Sequence, residues 1–421
     1  MVGMRDVAKK AGVSLSTVSL VVNNTGYVSD VMRAKVEAAM RELDYIPNEL
    51  ARNLYHDRTN TIGVIMPTIV HPFFATLTAA LQREFASRGL KTLLCSTADA
   101  NTGEGEYVDM LQRHMMDGII MAAHTEHPAD YWTSIRRPIV AFDRFLGTGV
   151  PTVRSDHEQG GRLVAQHLIA SGARHVILAG GPRAQFSGGT AFPTVRYHLT
   201  VERMLAAAGI ACDYVEVSAV ADVTAHEAMA RRIFDRYQGV DVIVGADVVA
   251  AMALQEAGRR GIDVPRDLQV IAYDGTLITE LAGKRLTSVR QDFPSIAAAL
   301  ADCMDEQIAA GDDSGRQSAA KRSGAADAAS SADASSADAA TSTDAAGGIM
   351  SDGDVPGGGV SDGDASVGNA ADAVSAGVPA AVGSDAVNAI GGVIVGAGVA
   401  GGGAESERVI PVSFIPGETT R

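Results

Sequence analysis

Cysteine is scarce in this chain of 421 residues: Cys95, Cys212 and Cys303 lie far apart with no paired spacing. That argues against a disulfide framework or a cysteine-based zinc site and fits a reducing compartment. Long hydrophobic runs are missing too. No segment approaches the about 20 consecutive apolar residues of a membrane span. Met1 to Lys10 carries Arg5, Asp6, Lys9 and Lys10 where a secretory signal would be apolar, so a cytoplasmic protein is expected. Signatures of enzyme chemistry are absent: no GxSxG elbow, no P-loop lysine motif and no HExxH occur, and the ten histidines are scattered. No catalytic residue, metal or cofactor is expected. Positive charge is in deficit, with 35 Lys and Arg against 50 Asp and Glu and a net charge of -15. Most of that deficit is local, because residues 312–406 hold twelve Asp and one Glu against Arg316, Lys321 and Arg322. Over residues 1–60 eight basic side chains meet seven acidic ones, so any claim of DNA binding rests on motif and not on charge.

Three regimes follow one another. Residues 1–58 read as short helices. Residues 60–310 alternate apolar strands (Thr61 to Met66, Lys91 to Ser96, Gly118 to Ala122, Ile139 to Phe142, His175 to Ala179, Val240 to Val244, Leu268 to Tyr273) with helices (Phe73 to Arg88, Glu158 to Ser171, Thr224 to Tyr237, Val248 to Arg260). Continuous apolar strands separated by helices predict α/β architecture with two doubly wound parallel sheets. Residues 312–406 are Ala, Gly, Ser and Asp with repeated SAD, SDGD and DAA fragments, too poor in large apolar side chains to offset the entropy of ordering, and are expected to be a disordered insertion. Arg408 to Ile415 again reads as a strand, so residues 407–421 return to the core. Within the insertion, Val393-Ile394-Val395 runs into Gly396-Ala397-Gly398-Val399-Ala400-Gly401, a GxGxxG match. Gly402-Gly403 follow where a helix is required, and no βαβ unit follows, so no nucleotide site is expected.

At the amino terminus, Asp6 to Ala11 and Leu15 to Asn23 are two short helices joined by the turn Gly12-Val13-Ser14, a helix-turn-helix pattern. Ser14 is placed to cap the second helix, and Ser29 a third over Asp30 to Leu43. Val18, Val21 and Val22 form the buried stripe, leaving Leu15, Ser16, Ser19 and Leu20 free to face base edges, with Thr17, Ser19 and Asn23 suited to phosphate oxygens. On spacing alone a plain three-helix bundle fits as well. Residues 47–54, opened by Pro47, form a helix too short to hold by itself. Paired across a dimer axis on DNA it could be stabilised, with Leu54 wedged between base steps in the minor groove.

Met4-Arg5-Asp6-Val7-Ala8, Ala11-Gly12-Val13-Ser14, Thr17-Val18-Ser19, Tyr45-Ile46-Pro47-Asn48 and Ala51-Arg52-Asn53-Leu54 resemble the lactose-repressor (LacI/GalR) family of bacterial regulators. The likeness continues through His71-Pro72-Phe73-Phe74, Phe142-Asp143-Arg144, Tyr273-Asp274-Gly275-Thr276 and Leu286 to Gln291, and leaves out only the insertion. The resemblance implies a headpiece with a hinge helix (1–58, hinge 47–54) and a two-lobed core like periplasmic sugar-binding proteins (60–310 plus 407–421). Its partners would be pseudo-palindromic operator DNA, a small effector such as a sugar, and a second copy of the chain, with no membrane involved. It also implies base readout by Leu15, Ser16 and Leu20, backbone contacts from Ser14, Thr17, Ser19, Asn23 and Asn48, and the minor-groove wedge at Leu54. Leu20 departs from the polar or basic residue frequent there; an apolar contact with a thymine methyl is the chemistry open to it. No leucine-heptad helix follows the last strand, so a dimer is expected.

Ligands of open α/β sheets bind outside the carboxyl ends of the strands. The residues following each strand are His71, Phe73 and Phe74, then Asp143 and Arg144, Asp156, Asp247 and Asp274. Carboxylates, a guanidinium and an aromatic wall suit a polyol. Any one of these aspartates is equally at home as a helix cap or turn. Arg196 resembles the family's ligand-binding arginine, and Ala246 stands where an Asn is common. A sugar receptor without a DNA role is the alternative reading, but it would require export. Deleting the insertion by joining Gly311 to Glu407 is expected to leave operator and ligand affinities unchanged in titrations, because loop-closure entropy grows only logarithmically with length.

Overall fold

A computed structural model of the chain describes residues 2–47, 58–97, 103–125, 127–184, 193–217, 222–311 and 407–421. Asn48 and Leu54 of the expected hinge helix, and the 312–406 insertion with its GxGxxG run, lie outside the described residues.

The headpiece is three helices, α1 (Met4–Ala11), α2 (Leu15–Asn23) and α3 (Asp30–Glu42). α1 stops at Gly12, whose φ of 66° places it in the left-handed region that glycine enters without a Cβ clash. The Ser14 side chain accepts the Thr17 N–H at 3.1 Å, the expected cap, and Ser29 accepts the Met32 N–H in the same way. Val7 and Ala8, Val18 and Val21, Val36 and Ala39 close the small core, with Met40, Leu43 and Tyr45 packed against it.

The first lobe is built from β1 (Thr61–Met66), α4 (Pro72–Ser87), β2 (Lys91–Ser96), α5 (Gly105–Gln112), β3 (Gly118–Met121), α6 (Ala129–Ser134), β4 (Ile139–Phe142) and β5 (Thr152–Ser155). The second contains α7 (His157–Ala170), β6 (His175–Gly180), α8 (Val195–Ala207), β7 (Ala211–Glu216), α9 (Val223–Arg236), β8 (Val242–Ala246), α10 (Asp247–Arg259), β9 (Gln269–Asp274), α11 (Ile278–Leu281) and β10 (Thr287–Gln291). A helix over residues 293–311, α12, then returns to the first lobe, and β11 (Glu407–Ile410) and β12 (Val412–Ile415) close the chain. Strand order is β11-β5-β4-β3-β1-β2 in one sheet and β12-β10-β9-β8-β6-β7 in the other. The first sheet is parallel throughout; in the second only β12 runs antiparallel, against β10.

Both faces of each sheet are covered, which is why the strands read as unbroken apolar runs. In β3, Ile120 packs toward α4 and α12 while Ile119 and Met121 pack toward Trp132 and α5. In β8, Ile243 faces α9 and α10 while Val242 and Val244 face α7 and α8.

The single strand expected over 408–415 is two. Pro411 has no N–H to donate, and the chain changes sheets there, β11 pairing with β5 and β12 with β10. Among the described residues the chain thus passes between lobes three times, after Ser155, after Gln291 and at Pro411. The crossings are stitched together: Ser155 Oγ donates to Gln291 Oε1 at 2.6 Å, the Asp156 N–H to the Ile410 carbonyl at 2.7 Å, and the Val412 N–H to Gln159 Oε1 at 2.9 Å.

Phe85 of α4 is fully buried between the first sheet and α12. Phe85→Ala is expected to destabilise the core by about 3–5 kcal/mol, seen as a lowered urea midpoint at unchanged slope.

Candidate functional site

On the headpiece, Ser14, Leu15 and Ser16 are exposed at the start of α2, while Thr17, Ser19, Leu20 and Asn23 are half-buried along it. Asn23 Nδ2 donates to Ser19 Oγ at 3.1 Å, holding two of the expected phosphate-contacting groups together. Leu20 folds over the turn after α2, where a Cβ on Gly26 would stand 3.2 Å from it. Beside it Tyr27 is 93% exposed. Sequence reasoning missed Tyr27, although a tyrosine in the loop between a reading helix and its support, next to a glycine, was there to notice.

Between the lobes lies a cavity of about 640 Å³. Its lining comes from the carboxyl ends of both sheets: Pro67 follows β1, Thr97 follows β2, Asp143 follows β4, Val217 follows β7, and Ala246, Asp274 and Gln291 end β8, β9 and β10. This is where parallel sheets leave strand-end backbone and helix-start groups open to a ligand.

His71 caps α4, its Nδ1 accepting the Phe73 N–H, and burial lowers the imidazole to about 4, so the ring is neutral at pH 7. Phe73 stacks on Phe142 with centroids 6.0 Å apart and meets Phe74 edge-on at 5.0 Å, forming an apolar wall. Asp143 follows β4 at φ 48°, and its Oδ1 lies 2.8 Å from His157 Nε2; Nδ1 of the same ring lies 2.7 Å from the Tyr273 hydroxyl. Burial lowers the Arg144 guanidinium to about 10; it donates to the carbonyls of Asp143, at 2.6 Å, and Ala123. Asp274 sits at φ 139° and accepts from Gln291 Nε2 at 2.9 Å. Burial, then the nearby Asp247 charge, hold its carboxyl well above the ordinary range.

Six of the eight expected ligand residues, His71, Phe73, Phe74, Asp143, Arg144 and Asp274, therefore surround one cavity. The other two do not reach it. Asp247 is 1% exposed and accepts three hydrogen bonds, from the N–H groups of Gly275 and Thr276 and from the Thr276 hydroxyl, so it holds the turn that carries Asp274. Arg196 donates to Glu158 at 3.1 Å, and the adjacent Tyr197 lines the cavity instead. One residue is about 100° of helix rotation, enough to turn position 196 toward α7 and 197 toward the sheet. Asp156, following β5, caps α7 by accepting the Gln159 N–H.

Tyr197 is 3% exposed, and its hydroxyl has no hydrogen-bond partner among the described residues, an unmet buried polar group pointing to a ligand. His124, His198, His226 and Gln291 also line the cavity and were not anticipated, since each is isolated in sequence. Among the described residues no three His, Cys, Asp or Glu side chains converge as a metal site, and no helix is long and apolar enough to cross a membrane.

A carboxyl whose folded pKa is raised contributes stability below its unfolded pKa, and that contribution is lost as pH rises through the folded value. Asp274→Asn keeps the shape and the bond from Gln291 but removes the buried charge. The variant is expected to melt above the parent at pH 8. The difference should vanish at pH 4 in thermal scans.

Two family models match the chain: "Bacterial regulatory proteins, lacI family" over residues 3–48 and "Periplasmic binding protein-like domain" over residues 165–323. The sucrose operon repressor of Streptococcus mutans is 34% identical over 305 residues, covering 72% of this chain and 92% of that protein. The ribose operon repressor of Bacillus subtilis is 34% identical over 294 residues, covering 69% and 87%. Among solved structures, the lac repressor dimer bound to operator and the anti-inducer ONPF shares the fold at a TM-score of 0.63 and 24% identity, covering 74% of this chain and 93% of that one.

Proposed function

The chain belongs to the lacI family of bacterial regulatory proteins, and from that membership we propose that it represses carbohydrate-utilisation genes and releases its operator when a sugar occupies the interlobe cavity. The observation that carries this reading is the joining, in one chain, of a capped helix-turn-helix unit with an open reading face to a cavity lined from both lobes. Two relatives at 34% identity are named as repressors of sucrose and ribose operons.

Residues 1–58 bind DNA, with α2 in the major groove. Leu15, Ser16 and Leu20 meet base edges, Ser14, Thr17, Ser19, Asn23 and Asn48 meet the backbone, and Leu54 enters the minor groove. Two copies related by a two-fold axis read a pseudo-palindromic operator in the cytoplasm. Residues 60–310 with 407–421 bind the effector, and 312–406 interrupt that core. In the cavity, Asp143 and Asp274 accept hydroxyl hydrogen bonds, Tyr197 supplies a phenolic hydroxyl, and Phe73 and Phe74 cover the apolar face of the ring. At 640 Å³ the space is within the usual range of about 300–1,000 Å³ for small-molecule sites.

A sugar touching Asp143 in one lobe and Asp274 in the other favours one setting of the three crossings over another. Effector and operator then shift each other's affinity by one common factor, typically about 5–150-fold. Fluorescence anisotropy of labelled DNA from upstream of the protein's own gene, titrated with and without sugars, tests this. Leu54→Ala is expected to weaken operator binding at least tenfold while sugar affinity of the free protein is unchanged. Asp274→Ala is expected to bind operator normally and lose the sugar response. Absence of DNA binding under every condition would leave a sugar receptor as the reading.

A further inference from the structure

The cavity carries more carboxylate than cation. Among the described residues Asp143 and Asp274 line it against a single guanidinium, Arg144, which is drawn into the wall by the carbonyls of Asp143 and Ala123. Two further arginines lie near it in sequence, and both are engaged elsewhere. Arg183 pairs with Glu202 and sits over the Tyr214 ring, and Arg196 pairs with Glu158. The stretches 98–102, 185–192 and 218–221, which adjoin lining residues in sequence, contain no lysine or arginine.

Four histidines line the cavity, and three are held neutral by burial, His71 and His124 at about 4 and His198 at about 3. Geometry agrees for His71, whose Nδ1 accepts an amide hydrogen and so carries none of its own. Helix starts, the other usual anion holders, are poorly suited here. α7 opens with Asp156 and Glu158 and α10 with Asp247; at α4 the His71 ring already accepts the Phe73 N–H, and at α8 the first-turn Arg196 is paired with Glu158.

We propose that this site accepts an uncharged polyol and rejects its phosphate esters, so that the regulator reads the free sugar and not a phosphorylated one. The inference rests on the carbohydrate reading above and narrows it. A phosphate buried here would lose its water and find the carboxyl groups of Asp143 and Asp274, the second already pushed toward its neutral form by burial and the Asp247 charge, instead of the arginine fork or ammonium that phosphate sites supply. A hydroxyl in the same place finds what it needs: carboxylate acceptors at Asp143 and Asp274, and the unpartnered Tyr197 hydroxyl.

The test is isothermal titration calorimetry of the full chain at pH 7.5 against D-glucose, D-fructose, D-ribose, maltose and sucrose, each beside its monophosphate ester. The expected result is that at least one free sugar binds and its ester binds at least 100-fold more weakly. An ester that binds as tightly as its parent sugar, or binds when no free sugar does, overturns the inference and leaves the carbohydrate reading standing. If no compound of either kind binds, the carbohydrate reading fails and this inference fails with it. Val217→Lys places an ammonium among the lining residues and is expected to raise the ratio of ester to free-sugar affinity at least tenfold over the parent. A folded variant with no such gain would show that charge is not what excludes the ester.

Discussion

The buried imidazole of His157 is the piece on which the two-lobed core turns. It stands at the first crossing with no exposed surface, one ring nitrogen on Asp143 of the first lobe and the other on the Tyr273 hydroxyl of the second. Where the Asp143 carboxylate accepts, Nε2 is the donor of that bond. Removing any member leaves a buried polar group without its partner, a loss of about 1–3 kcal/mol. The α7 backbone can approach Tyr273 this closely because residue 160 is glycine: a Cβ there would meet the ring at 3.0 Å. A second chain runs alongside, from Ser155 through Gln291 to Asp274. Both chains start at a crossing and end on a carboxylate of the cavity, so the carboxylates that line the cavity are bonded to the side chains that join the lobes.

Those two carboxylates are held under strain. Asp143 at φ 48° and Asp274 at φ 139° occupy backbone conformations unfavourable for residues other than glycine. The turn after β9 is maintained by Asp247 through its three accepted hydrogen bonds and by Gly275, where a Cβ would lie 2.6 Å from the Arg290 backbone. The buried, electrostatically crowded Asp274 is thus kept in place at a cost in stability, as expected of a group retained for binding. Local strain, a raised pKa and an unpartnered tyrosine hydroxyl occur together at one end of the sheets, while the opposite faces are conventionally packed with aliphatic side chains.

Coupling between cavity and operator needs an element with two arrangements that both ligands bias. The three crossings are suited to that role, because few hydrogen bonds tie them together and one, Ser155 to Gln291, is buried and joins the two lobes.

The sequence by itself determined the architecture. The helix-turn-helix unit followed from Gly12, the Ser14 cap and the valine stripe of α2, all local features. The parallel sheets followed from apolar strands too continuous to have a wet face. What local pattern could not reach was β7, an edge strand with alternating exposed residues, or β5 and β10, short strands carrying buried polar side chains such as Arg154 and Gln291. Six cavity residues could be named because they follow strands, where the fold makes a site whatever the details. Only the tertiary structure decided that Arg196 turns to Glu158 while Tyr197 faces the cavity, and that Asp247 supports the turn beneath Asp274. It also decided that His157 joins the lobes. These depend on partners 14 to 116 residues away in sequence, and a side chain's role at a strand end is set by the partners that the fold brings within hydrogen-bonding distance.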